Sequence, residues 1–529
     1  MMIRRLRSLD IQSLDVSADG LKDFTWPISW KEQAKFRDHL IGSYAAVVRE
    51  RIDRHDEEGD LLAILAMEFV QEAMRGWYAA ILMRRFAQRG EQVVAPWLNG
   101  AAYDDPAIWQ PKRDRIDFLR NRFPASTWRA LLRPLIGLMQ DDGMSWTWPQ
   151  VVDFRNRIIT TNASHLIRQH ADSVGEKPAL VSLRHWFGDA SDALPNSLAD
   201  HALHADTVAQ TTQILVDAAA LNGDELPATL LRHLENWLNA AAPICRWYLR
   251  WLLRHPKLLP ARLWTGSGGY IFRRILHMAT RRTGGQVWSH DHGSGLGLFG
   301  LPDTNLTEFT TPDTFVTFSP KQAEGYKLQR RDDFRLCTTW PEVTSVKIST
   351  NAPLQCPRAG TTARQRIVFI ANQYRGEKLP ITPIEFDVVA ADWQARLFAQ
   401  CQSLGHDVQM RAHPDSTSPP PENFQRVLGV APATGSFTEA LGNADIIILD
   451  YLHTTVLQEV LLSGKPVLTF EFGHCPPNPV AGNLLARRIR FIPGWYDANN
   501  RAQTDWHQLA GHIEAACDMA GDNAFLELF

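Results

Sequence analysis

The residues best able to do chemistry lie in "ADIIILDYLHTTVLQEVLLSGKPVLTF", residues 444–470. An apolar run closes at Asp450, two threonines follow, and an amphipathic segment leads through Gly-Lys-Pro into a second apolar run. This reads as strand, turn, helix, strand. In an open parallel sheet, ligands bind outside the carboxyl ends of the strands. Tyr451 to Thr455 therefore lie where a ligand would sit. Thr454 or Thr455 is expected to cap the helix, its hydroxyl accepting from a backbone N–H. A helix start also favours an anion, and a hydroxyl adds a donor for a phosphate oxygen. "DVQMRAHPDS" places His413-Pro414 at the end of a neighbouring strand, which Pro414 ends by removing a ladder donor. The His413 imidazole could donate to a phosphate there, or protonate it as it leaves.

These groups need a frame. "RIVFIAN", "DVQMRAHP", "DIIILD" and "PVLTF" read as strands, alternating with helices in "DWQARLFAQCQSLG", "FTEALGNA" and "TVLQEVLLSG". Continuous apolar strands between helices indicate a parallel sheet covered on both faces. An earlier unit, "ARLWTGSGGYIFRRILHMATRRTGGQVWSHDHGSGLGLFG", reads as strand, Gly-rich turn, helix, strand and second Gly-rich turn, with another strand in "DTFVTFSP". The expected organisation is a mainly helical region over 1–250, a Rossmann-like unit over 251–347, a linker over 348–364 and a second Rossmann-like domain over 365–529. Within the helical part, 92–98 and 178–183 read as short strands. The fold class is α/β, two Rossmann-like domains facing a cleft.

Composition narrows the function classes. The 529 residues are too many for one core. A net charge of -3 gives no global attraction to nucleic acid, so none is expected as a partner. The six cysteines form no CxxC pair, which argues against a zinc site or disulfide framework and for reduced thiols in a cytosolic protein. Arg4, Arg5 and Arg7 are not followed by an apolar segment, so no signal peptide is expected. No uncharged apolar run is long enough to span a membrane. The 18 tryptophans suit a core, sugar faces or a membrane surface equally.

His-Pro followed by Asp-x-x-x-Thr-Thr resembles the nucleotide half of GT-B glycosyltransferases of bacterial surface polysaccharides. Capsule Kdo transferases, bacterial sialyltransferases and polyol-phosphate polymerases share an HP motif and a later Ser/Thr pair. The resemblance spans residues 365–529 and implies that His413, Pro414, Thr454 and Thr455 contact the nucleotide and its phosphate. The threonine pair departs from the commoner Ser-Ser or Ser-Thr but keeps both hydroxyls. "EVLLSGKPVLTF" is similar to the "EAL..GKPVI" run of many GT-B enzymes, with Glu459 on the helix. "SHDHGSGLG" resembles the "QHGGGYG" stretch of a family of surface-carbohydrate transferases, and Glu308 matches an acidic residue that follows there, which makes it a catalytic candidate beside Asp291 and His292. This implies that Asp291 and His292 face the cleft from the first domain. His292 could bind phosphate or acceptor, and Asp291 could be a general base or a nucleophile. His290 and His292 flank Asp291, but neighbours on a strand point to opposite faces and no third ligand cluster is evident, so no metal is expected.

Further candidates have bland alternatives. Gly268 and Gly269 in "TGSGGYIFRR" could receive an anion, or simply make a tight turn. Arg375 and Lys378 in "YRGEK" could grip a phosphate or a sugar carboxylate, or belong to a solvated loop. Asp141-Asp142-Gly143 is similar to the acidic motif that carries the sialyltransferase base, which would make Asp142 a second catalytic candidate; an Asp-Gly turn is the commoner explanation. The expectation is a metal-independent transferase moving a sugar, Kdo from CMP in the first instance, onto a bacterial surface glycan or lipid-linked glycan. Residues 365–529 would bind the sugar nucleotide and the earlier unit, with part of the helical region, the acceptor. Cytoplasmic location follows, with peripheral attachment to the inner membrane left open. A CDP-polyol phosphotransferase, a nucleotide-sugar epimerase and a non-catalytic carbohydrate-binding protein are the alternatives.

Overall fold

A computed structural model describes residues 6–8, 24–94, 156–346, 364–376, 385–414 and 430–529, apart from single positions at 55, 196, 294 and 302; residues 11, 14, 154, 381 and 416 are described besides. Two parallel sheets organise these residues. Strands β1 (Leu6–Ser8) and β2 (Gln92–Val94) form a separate parallel pair. The first large sheet holds β3 (Ile158–Thr160), β4 (Ala179–Leu180), β5 (Arg262–Thr265), β6 (Gln286–His290), β7 (Thr314–Thr317) and β8 (Glu342–Ser345), in the order β4-β3-β5-β6-β7-β8. The second holds β9 (Arg366–Ile370), β10 (Asp407–Arg411), β11 (Ala431–Pro432), β12 (Ile446–Leu449), β13 (Val467–Glu471), β14 (Ile489–Tyr496) and β15 (Ala502–Thr504), in the order β11-β10-β9-β12-β13-β14-β15. Among the described strands only β15 runs antiparallel to its neighbour. Both orders reverse at a switch point, the first between β3 and β5, the second between β9 and β12, as in doubly wound nucleotide-binding sheets.

The first sheet begins earlier than the sequence suggests. β3 and β4 lie before residue 251, β3 pairing with β5 and β4 with β3, so the acceptor-side unit is not confined to 251–347. β3 has three residues, too few for a period-2 signal to emerge, whereas β4 falls within the 178–183 segment that reads as a strand. Of the segment 92–98, residues 92–94 are described and form β2, which joins neither large sheet. The 348–364 linker lies outside the described residues except for Arg364.

The helical region bridges the two domains. Helix α1 (Trp30–Asp53) begins with a capping box in which Ser29 accepts from the Glu32 N–H. Helix α2 (Glu57–Gln88) is apolar on most of its circumference because it is covered on several sides. It packs on α1, on the helix Ala228–Arg254 and on the helix Ile271–Arg282. Arg274, fully buried, donates to the Ala63 carbonyl of α2. On the other side the Trp26 N–H donates to the Asn499 carbonyl, and its ring packs against Phe386. One continuous hydrophobic core therefore runs from α1 and α2 into both sheets.

No helix among the described residues is long and apolar enough to cross a membrane. The five described cysteines form no disulfide.

Candidate active site

Register decides which side chains meet. Arg411 of β10 and Leu449 of β12 are each paired with Ile370 of β9, so three central strands end level. The Asp450 N–H continues the ladder to the Ile370 carbonyl, and the Asp450 carboxylate accepts from the Asn372 N–H at 3.1 Å. The chains leaving these strands carry Arg375, His413 and Thr454-Thr455 to one edge. All four line a single cavity of about 220 Å³ at the switch point. His292, from the first domain, lines it too. The cavity thus joins five candidates from four separate segments.

The threonines reach it for a reason the sequence did not convey. The helix after β12 begins at Leu457, with Val456 at the N-cap and no side-chain cap bond. Residues Leu452 to Val456 turn first: the Thr454 N–H donates to the Leu452 carbonyl and the Leu457 N–H to the Thr454 carbonyl. Capping is therefore not the threonines' role; Thr454 Oγ1 makes only a 3.5 Å contact with the Val456 N–H. With six residues, this helix also offers little dipole. Positive charge in the wall comes instead from Arg375. Burial holds its guanidinium below the ordinary arginine range, opposed by Tyr451, Asp387 and Asp303.

Sequence reasoning placed Tyr451 and His453 at this edge without giving either a role, and it missed Asn372 and Gln373; all four line the wall. Burial, helped by His292 and Arg375, pushes the His453 imidazole down to about 3, so it is neutral. The signal was available in principle, since all four lie within five residues of the ends of β9 and β12. Among the described residues no carboxylate lines this cavity. No group of three or more His, Cys, Asp or Glu among them is arranged to hold a metal.

A second cavity adjoins the first through Asn372, Gln373 and Tyr451. Its walls include Tyr374, Trp393 and Phe472, and its polar groups include Glu385, Asp387, Gln394, Asp450, Glu471 and His474. Burial pushes Glu385 up to about 7 and Asp450 up to about 6. Asp450 is held by Gln394 at 2.9 Å as well as by Asn372.

The first-domain candidates separate. Strand β6 ends at His290, before the alternation can continue. His290 turns inward, its Nε2 2.9 Å from His170 Nδ1. Asp291 does not face the cleft. It is fully buried, accepting from the Gly293 N–H at 2.9 Å and the Tyr326 hydroxyl at 2.8 Å. Burial pushes its carboxyl up to about 7. It shapes the turn rather than reaching a ligand. Only His292 emerges, 47% exposed, with Nδ1 3.8 Å from Glu308 Oε1. Glu308 is itself buried and accepts from Ser267 Oγ at 2.6 Å and the Gly268 N–H at 3.0 Å.

The Gly-rich turn therefore receives an anion, but an internal one. Gly268 donates to Glu308 and Gly269 to Ser267 Oγ, which corrects their expected role toward a ligand phosphate. A Cβ on Gly268 would lie 2.6 Å from the Thr307 carbonyl oxygen, so the close approach requires glycine. Glu459 is exposed on its helix and lines neither cavity, and Pro414 lies in an exposed turn beside His413. Asp142 and Lys378 lie outside the described residues.

Two Rossmann-type sheets with a shared cavity at their carboxyl edges, and a helical N-terminal region, make up the GT-B arrangement. No protein-family model and no curated protein matches the chain. Similar solved structures include MurG of Acinetobacter baumannii, 12% identical over 69% of this chain and 93% of that one, with a TM-score of 0.34. A glycosyltransferase from Rickettsia africae ESF-5 is 11% identical over 70% and 95%, with a TM-score of 0.30. Likeness at this level adds nothing to the topology described above.

Proposed function

We propose that this chain is a glycosyltransferase, with the sugar nucleotide on the C-terminal domain and the acceptor approaching from the N-terminal one. The observation that carries this is the single cavity in which Arg375, His413, Thr454 and Thr455 face His292 across the cleft. A guanidinium, an imidazole and two hydroxyls, with no carboxylate among the described lining residues, suit an anion. Such donors stabilise the charge that develops on a phosphate as its bond to the sugar breaks. They do so without a metal ion.

His292 is the proposed base. The acceptor oxygen forms the new bond to the anomeric carbon, the sugar–phosphate bond breaks with its electron pair going to phosphate, and the acceptor proton passes to His292. Glu308, 3.8 Å behind Nδ1, stabilises the imidazolium so formed. The adjoining cavity, with Tyr374, Trp393 and Phe472 in its walls, would take the nucleoside.

The donor we favour is a CMP-linked acidic sugar such as Kdo, and the acceptor a bacterial surface glycan or lipid-linked glycan. Calorimetric titration with CMP, CDP, UDP and GDP tests this. Tight CMP binding supports it, and tight UDP or GDP binding without CMP binding overturns the donor. Absence of binding by all four overturns the transferase.

A further inference from the structure

The loop that carries His292 does not stop at the cleft. It crosses it. A Cβ on Gly293 would lie 2.9 Å from the Thr455 methyl, and one on Gly295 3.4 Å from the Thr454 carbonyl oxygen. Beyond them, Leu298, Phe299 and Leu301 are buried in the C-terminal core beside Leu449 and Leu457. The Gly300 N–H donates to the Pro476 carbonyl, and Phe299 bridges to Pro477. Asn478 closes this contact. Its backbone N–H donates to the Leu298 carbonyl at 2.8 Å, and its Nδ2 to the Gly297 carbonyl at 2.7 Å. Its Oδ1 meanwhile accepts from Val480 and Ala481, capping the helix Pro479–Ala486.

On the other side the same loop is held by the first domain. Gln329 Nε2 donates to the Leu296 and Phe299 carbonyls. A Cβ on Gly325 would lie 1.9 Å from the Gly297 oxygen and 2.5 Å from Asn478 Nδ2. Three backbones therefore converge on one amide group.

We propose that Asn478 is a positioning residue: its side-chain amide clasps the two domains and thereby fixes His292 over Thr454 and Thr455. The inference rests on the reading of the cavity as a transferase site. Arg375, His413 and both threonines belong to the C-terminal domain, so nucleotide binding does not need the clasp. Transfer does, because His292 comes from the other domain, and a displacement of about 1 Å in a reacting group can cost about 100-fold in rate.

Asn478→Asp separates the two roles of the side chain. A carboxylate keeps the helix cap, which Asp serves as well as Asn. It replaces the clasping N–H with an oxygen facing the Gly297 carbonyl. The expected result is nucleotide affinity within about twofold of wild type, kcat lowered about 10- to 100-fold, and faster hydrogen exchange at the Gly297–Gly300 amides. Asn478→Ser, which also keeps a cap and loses the clasp, should behave alike. Unchanged kcat overturns the inference, as does nucleotide affinity falling in parallel with kcat. The exchange measurement needs no turnover. A wild type that binds no nucleotide sinks the transferase reading, whereas unchanged exchange in Asn478→Asp sinks the clasp.

Discussion

Replacing Thr454 and Thr455 by valine removes two hydroxyls and leaves almost everything else. Valine keeps the branched shape, including the methyl that meets Gly293. The only hydrogen-bond contact found for Thr454 Oγ1 is 3.5 Å long, and no side-chain cap is lost, so stability should change by less than about 0.5 kcal/mol. Function should change far more. A hydrogen bond to an ionised phosphate contributes about 1.5–3 kcal/mol, and each 1.4 kcal/mol is about tenfold in an equilibrium or a rate. Each single variant should therefore lose about 10- to 100-fold in kcat/KM. The double variant should lose at least about 100-fold, without strict additivity, since neighbouring groups share one anion. The departing phosphate gains charge, so kcat should suffer along with nucleotide affinity. The assay is steady-state transfer with calorimetric nucleotide titration, beside thermal melting. Wild-type kcat/KM in the folded double variant would refute the placement of the phosphate, as would a loss that merely follows a fall in Tm.

Glu308→Gln should lower kcat at least about tenfold while nucleotide affinity stays within twofold, because Glu308 acts through His292 and does not line the cavity; a matching loss of affinity would show that Glu308 serves the donor. Asp291 gives a pH signature. Its folded value of about 7 exceeds the ordinary carboxyl value, so between about pH 4 and 7 the unfolded chain binds fewer protons and stability falls as pH rises, by about 4 kcal/mol in all. Asp291→Asn should flatten that part of the urea-midpoint profile and still bind nucleotide; an unchanged slope would contradict the burial argument. Activity should persist in EDTA, since side-chain donors serve the leaving phosphate, and restoration of a chelator-stopped reaction by Mg²⁺ or Mn²⁺ would disprove that account.

Strong local patterns were legible in the amino-acid order. "IIIL" within β12 is buried at all four positions, and a continuous apolar run bounded by turn residues has few other solutions. The alternation of strands with helices then implied a parallel sheet, and the sheet implied an edge where His413, Thr454 and Thr455 could meet a ligand. The helical character of the first 250 residues was equally plain in α2, although its near-complete burial was not. What stayed hidden was short or long-range. β3 carries too few residues for a periodic signal and exists because β5 offers it a ladder, whereas β4, inside the 178–183 segment that did read as a strand, pairs with β3. Whether a threonine caps a helix or lines a cavity depends on a turn two residues longer or shorter, a difference that residue type does not encode.

The first-domain site shows the same division most clearly. "HDH" announced chemistry by composition alone, but three adjacent residues received three fates. His290 faces inward to His170, Asp291 is buried under Tyr326, and only His292 reaches the cleft. Strand β6 ends one residue before Asp291, whose N–H still donates to the Val316 carbonyl of β7 while its side chain turns to Tyr326. Glu308 likewise looked like a ligand-facing acid until the glycine turn at Ser267–Gly269 proved to enclose it. The sequence by itself determined which elements form and which edge carries the polar groups, because hydrophobic period and turn residues act over a few positions. Only tertiary structure decided which polar groups are spent inside the protein and which are left for a ligand, because their partners lie tens of residues away.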